Sequence, residues 1–154
     1  MRWGAIDVWA QITTERMAAR PWLATLLRWT GQEGERLAPT VESTLAAMDD
    51  AGVDVALLSG WWGPEGDLIN NDEVAAQVAA APARFRGLAT VDLHRPMEAV
   101  REIRRRIASG AFVGVRVVPW LWDLAPNDRR YYPVYTACVE AGVPFCTQSV
   151  TPGP

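Results

Sequence analysis

Asp92 and His94 stand two residues apart in VDLHRP, and His94 is the chain's only histidine. Histidine alone titrates near neutral pH without help, so an aspartate that orients it makes a general base. The same run also reads as a strand end in which either residue caps the next helix. Asp7 lies in the apolar run GAIDVWAQ. There it is either tied to an arginine such as Arg116 or to the backbone, or it is a proton donor kept neutral by burial. Trp9, Trp61, Trp62, Trp120 and Trp122, five of the eight tryptophans, stand at or just after the ends of apolar runs. Indoles so placed, with Gln11 and Gln148, can line a flat pocket for an aromatic or polyketide-like carboxylate. Arg116, or Arg16 or Arg20, would clamp the anion. Equally, the indoles can seal packed elements.

Composition excludes more than it selects. All fifteen basic side chains are arginine, so there is no lysine for a Schiff base or a phosphate loop. One histidine rules out a multi-histidine metal cage made by this chain alone. Ser59 is not in a Gly-x-Ser-x-Gly turn, which argues against a serine hydrolase. A net charge of −3 and no basic stripe argue against nucleic acid. The Arg101, Arg104, Arg105, Arg106 cluster reads as a solvated helix face. No apolar stretch reaches the roughly 18 residues of a membrane span, and the first residues lack a signal-peptide core. Cys138 and Cys146 read as reduced thiols of a cytoplasmic protein.

The elements that position these residues follow one rhythm. GAIDVWAQ (4–11), VDVALLSG (53–60), FRGLATVD (85–92), FVGVRVVP (112–119) and VPFCTQ (143–148) are short apolar runs with strand character. Between the later ones lie helical stripes. One is capped by Thr40 and stopped by Gly52. A second is capped by Asn71, a third opens at Pro96 and stops at Gly110, and a fourth opens at Pro133 and stops at Gly142. Residues 12–39 form a long connection bearing Trp22, Leu23, Leu26, Leu27 and Trp29, which suggests a lid-like helix. Trp61-Trp62-Gly63-Pro64 reads as a loop clamp. The tail SVTPGP matches neither helix nor strand.

Five strands and four crossover helices in this order predict an α/β domain of parallel βα repeats spanning 1–154. Two architectures fit: an incomplete (β/α)8 TIM-type barrel, or an open five-stranded flavodoxin-like sheet. The barrel is favoured, because all five strands are apolar where open sheets have shorter or more polar edges. The first turn also lacks a Gly-x-Gly-x-x-Gly fingerprint.

Four segments, IDVWAQ (6–11), LINNDEVAAQVAAAPARFRGLATVDL (68–93), GAFVGVRVVP (110–119) and YYPVYTACVEAGVPFCTQ (131–148), together resemble the amidohydrolase-related family. This branch contains aminocarboxymuconate-semialdehyde decarboxylase and resorcylate-type decarboxylases. The resemblance implies the front portion of a metal-dependent TIM barrel. It also implies hydrolase or carboxy-lyase chemistry on a small carboxylated or aromatic acid. The family's first-strand histidine ligands fall at Trp9 and Gln11, and its fifth-strand histidine at Gln148 or Thr147. The usual zinc or manganese is therefore not expected here, because indole is only an N–H donor and a neutral amide is a poor ligand. Without metal, Asp7, Asp92 and His94 would do the acid–base work. The alternative is a non-catalytic partial barrel whose open strand edges associate with another copy or a partner chain.

Overall fold

The computed structural model describes residues 4–32 and 39–148. Strand β1 (Ala5–Ala10) leads into two short helices, α1 (Glu15–Ala18) and α2 (Pro21–Trp29). Helix α3 (Val41–Ala51) precedes strand β2 (Val53–Ser59). A small hairpin follows, β3 (Trp61–Gly63) and β4 (Gly66–Ile69), then helix α4 (Asn71–Ala80) and strand β5 (Phe85–Ala89). The chain continues through α5 (Pro96–Ala108), β6 (Phe112–Arg116), α6 (Pro119–Trp122) and a 3-10 turn at Arg129–Tyr131. It finishes in α7 (Tyr132–Ala141) and β7 (Phe145–Cys146).

Five strands form one sheet in the order β1-β2-β5-β6-β7, every neighbouring pair parallel. The middle strands are apolar because both faces are covered: Phe85, Leu88, Ala89 and Val115 are buried on the two central strands. In a flat sheet β1 and β6 would lie three strand spacings, about 14 Å, apart. No single arginine reaches that far. Yet Arg116 Nη2 on β6 donates to the Val8 carbonyl on β1 at 2.8 Å. The sheet therefore curls, and the partial barrel, not the open flavodoxin-like sheet, describes it.

The local signals act as expected, with shifts at the ends. Thr40 and Ser43 cap α3 reciprocally. Gly52 and Gly142 stop α3 and α7 in the left-handed region, with φ of 68° and 66°. The cap of α4 is Asn70, paired with Glu73, rather than Asn71. That frees Asn71 for another task. Its buried amide donates to the Thr90 carbonyl and accepts from the Thr90 N–H, both at 2.9 Å, pinning the end of β5. A Cβ on Gly60 would stand 2.9 Å from the Asn71 Oδ1 and 2.8 Å from Thr90, so only glycine fits there.

Three expectations need correction. Trp61-Trp62-Gly63 is a strand of a hairpin turned at Pro64 and Glu65, not a loop. Arg106 is not solvated: it is buried, bonded to Glu102 at 2.6 Å and to Asp72, and so ties α5 to α4. Asp7 is exposed rather than buried, because β1 is an edge strand paired only with β2. Of the 12–39 segment, α1 and α2 supply the helical part, while residues 33–38 and the tail 149–154 lie outside the described residues. Both cysteines are free thiols.

Cys138 is buried under α7, which pushes its thiol from 9.0 up to about 11; buried Tyr131 is likewise pushed from 10.0 up to about 12. Raised acids keep their protons in the folded state where the unfolded chain has lost them. Their contribution is complete below pH 9 and is lost as pH rises through the folded values. Urea midpoints should therefore fall between about pH 9 and about pH 11, and Cys138→Ala should flatten the early part of that fall.

Candidate active site

The functional side chains divide by the face of the sheet they project from. On β7, Phe145 packs edge-on against Tyr135 of the outer helical layer, with ring centroids 4.7 Å apart. The next residue, Cys146, must then face the concave interior. Cys146 is the register partner of Arg116, so Arg116 faces the interior too. Across that interior the Arg116 guanidinium lies 3.5 Å from the centroid of the Trp9 ring. Asp7 lies two residues before Trp9 on β1, close enough for its charge to act on Arg116.

Arg116 is fully buried. One of its donors is satisfied, Nη2 to the Val8 carbonyl. Nε and Nη1 have no acceptor among the described residues. Burial pushes the guanidinium from 12.5 down to about 10, against the opposing pull of Cys146 and Asp7. The Asp7 carboxylate is committed to the backbone instead: Oδ1 accepts from the Trp9 N–H at 2.8 Å. Of the readings open for Asp7, backbone bonding is the one realised; no Asp7–Arg116 ion pair forms.

At the mouth of the sheet the indoles pack on one another. Trp22 of α2 stacks on Trp61 at 6.0 Å and meets Trp120 edge-on at 4.9 Å. Trp120 Nε1 donates to Gln148 Oε1 at 2.8 Å. The first lid helix is also held: Arg16 pairs with Asp67 at 3.1 Å and with Glu73 at 2.6 Å, and Arg20 pairs with Glu65. These two arginines are thus engaged, which leaves Arg116 as the interior cation with free donors. Trp61 Nε1 and Gln11 Oε1 are buried without partners among the described residues.

Asp92 and His94 sit elsewhere. Asp92 lines a groove of about 710 Å³ between α4, α5 and the hairpin, together with Trp62, Asn71, Glu102 and Arg106. None of Asp7, Trp9 and Arg116 reaches that groove. Asp92 Oδ1 accepts from the His94 backbone N–H at 2.8 Å, and Oδ2 faces Arg95 at 3.7 Å. The exposed His94 ring lies edge-on to Trp122 at 5.0 Å. The aspartate orients a turn rather than the imidazole, so the acid–base set of three divides into Asp7 on one side and Asp92 with His94 on the other.

A parallel half-barrel with an arginine-and-indole interior invites comparison with known barrels. Residues 6–149 match the amidohydrolase family model, and the chain belongs to that family. It is 34% identical over 94 residues to the gamma-resorcylate decarboxylase of a Polaromonas species, covering 54% of this chain and 28% of that one. Its fold matches the 5-carboxyvanillate decarboxylase of Novosphingobium aromaticivorans, solved with manganese and 4-hydroxy-3-methoxy-5-nitrobenzoic acid. The TM-score is 0.73 and the identity 22%, over 93% of this chain and 49% of that one. It also matches a dihydroxybenzoic acid decarboxylase from Polaromonas, solved with manganese and 2-nitroresorcinol. There the TM-score is 0.70 and the identity 24%, over 98% of this chain and 51% of that one. The chain thus spans about half the length of these barrels.

The donor set on this half does not fit a divalent metal. Trp9 has no lone pair to offer, and its ring is covered by a cation. Gln148 spends its carbonyl oxygen on Trp120. Arg116 was legible as an anion clamp; its contact with Trp9 was not, because the strands that bring them together are more than 100 residues apart in sequence. Trp22 carries the lid contact that the sequence showed only as an apolar stripe. Trp22→Ala should release α2 and speed tryptic cleavage after Arg28 by about tenfold or more, as read by mass spectrometry of a digestion time course.

Proposed function

We propose that this chain is part of a carboxy-lyase-type amidohydrolase-family barrel, cytoplasmic, that acts on a small carboxylated aromatic acid at the concave face of the sheet. The observation that carries the reading is the buried Arg116 with two free N–H donors beside the Trp9 ring. A flat ring with a carboxylate satisfies both features at once: its anion meets the guanidinium and its ring meets indole. The decarboxylating relatives point to the same substrate class. Trp61, Trp120, Gln11 and Gln148 bound the mouth, and α2 closes over it.

Loss of carbon dioxide from an aromatic acid requires a proton at the ring carbon that held it. Asp7, exposed and with its Oδ2 in no hydrogen bond among the described residues, is the carboxylate on β1 that would pass a solvent proton to that carbon. Asp92 and His94 belong to the turn after β5 and hold its shape. The test is release of labelled carbon dioxide from carboxyl-labelled 2,6-dihydroxybenzoate and related acids. Asp7→Asn should lower turnover by about 10²-fold or more, while Asp92→Asn and His94→Gln leave it nearly unchanged. Turnover that survives Asp7→Asn but falls with His94→Gln would reverse the assignment.

A second reading rests on the edge of the sheet. Ile6 and Val8 on β1 are 60% and 59% exposed, and β1 has no strand on its far side among the described residues. Apolar edges of this kind associate. We propose that β1 is covered by a second copy or a partner chain, whether or not the interior is catalytic. Light scattering should show an oligomer for the chain alone, and lysine at both Ile6 and Val8 should shift it to monomer. A wild-type monomer at high concentration would count against self-association.

A further inference from the structure

A fully buried guanidinium with two donor nitrogens unsatisfied and no carboxylate partner among the described residues is costly to keep. The position is specific. Its ring partner, Trp9, stands where the amidohydrolase resemblance places the first histidine ligand, and the guanidinium lies 3.5 Å from that ring. A divalent cation brought to this spot would face like charge, and neither Trp9 nor Arg116 offers it a lone pair. The site has a fixed positive charge, but it is organic and covalently attached.

We propose that Arg116, held by the Val8 carbonyl and the Trp9 ring, supplies the positive charge that manganese supplies in the metal-bound relatives. On this chain an aromatic carboxylate then binds the guanidinium donors that Val8 leaves free, without a metal. The inference rests on the concave face being the substrate site, as proposed above. Three features make the guanidinium suited to the role. Its planar fork matches a carboxylate with two parallel hydrogen bonds. The indole face holds it in place by a cation–π contact and shuts water from one side. The Val8 bond anchors the guanidinium at Nη2 and leaves Nε and Nη1 with no acceptor among the described residues. Cys146, the register partner on β7, adds a small polarizable wall.

The experiment is calorimetric titration of the full chain with 2,6-dihydroxybenzoate, and with resorcinol as the ring lacking the carboxylate. Each is run after EDTA treatment and again with added manganese. The expected result is equal affinity for the acid in both conditions and much weaker binding of resorcinol. Arg116→Met should weaken the acid by at least about tenfold, and Arg116→Lys should recover only part of the loss. A thermal melt of Arg116→Met without ligand separates folding from binding. A variant still folded at the titration temperature has lost binding rather than structure. Acid binding that appears only with manganese, or that survives Arg116→Met, would overturn the inference and leave the aromatic-acid reading standing. No binding of the acid in any condition would overturn both.

Discussion

The reach of Arg116 across the sheet is the interaction on which the rest of the molecule turns. Its side chain starts on the fourth strand of the sheet and ends on the first, bonding the Val8 carbonyl and lying on the Trp9 ring. An extended sheet could not hold that contact, so the contact and the curl imply each other. The curl makes a concave face, and the concave face is what turns Asp7, Trp9, Arg116 and Cys146 from residues scattered along the chain into one site. Charge balance adds a second constraint. The arginine is buried with no anion paired to it among the described residues, and burial lowers its proton affinity.

The sequence carried the fold well, because the fold is made of local signals. Thr40, Pro96, Gly52 and Gly142 act as starts and stops where their chemistry places them, and the apolar runs became the parallel strands. The misses are tertiary. The hairpin at Trp61–Ile69 was invisible because its strands are only three and four residues long, and its turn residues look like any loop. Asn71 reads as a cap because asparagine caps helices, yet Asn70 does so equally well. Only the approach of Thr90 decides which of the two is spent on β5. Arg106 reads as solvent-facing because arginine usually is, and nothing local announces Asp72 from the neighbouring helix.

The candidate site was legible by residue type and not by pairing. Asp92 and His94 are adjacent in sequence, which is why they suggested a dyad, but adjacency along a turn places the carboxylate over the backbone N–H before it can reach a ring. Asp7 and Arg116 gave no local sign of sharing a space, and they share it only through the curl. Proximity in sequence therefore overstated one pair and hid the other.

The edge of β1 joins these threads. Ile6 and Val8 lie on the opposite face of the strand that carries Asp7 and Trp9, so whatever covers the outer side also braces the inner one. Arg116 holds β1 from within through a carbonyl and an aromatic face, and that is one arginine against an otherwise unsupported strand. A covering chain would fix the Val8 carbonyl, narrow the range of Trp9 rings that can lie over the guanidinium, and lower the local dielectric at the site. On the two proposals above, anything that fixes β1 from outside also fixes the carbonyl and the ring that hold Arg116 from within. The strand most exposed in this structure is thus the strand through which partner and ligand would communicate.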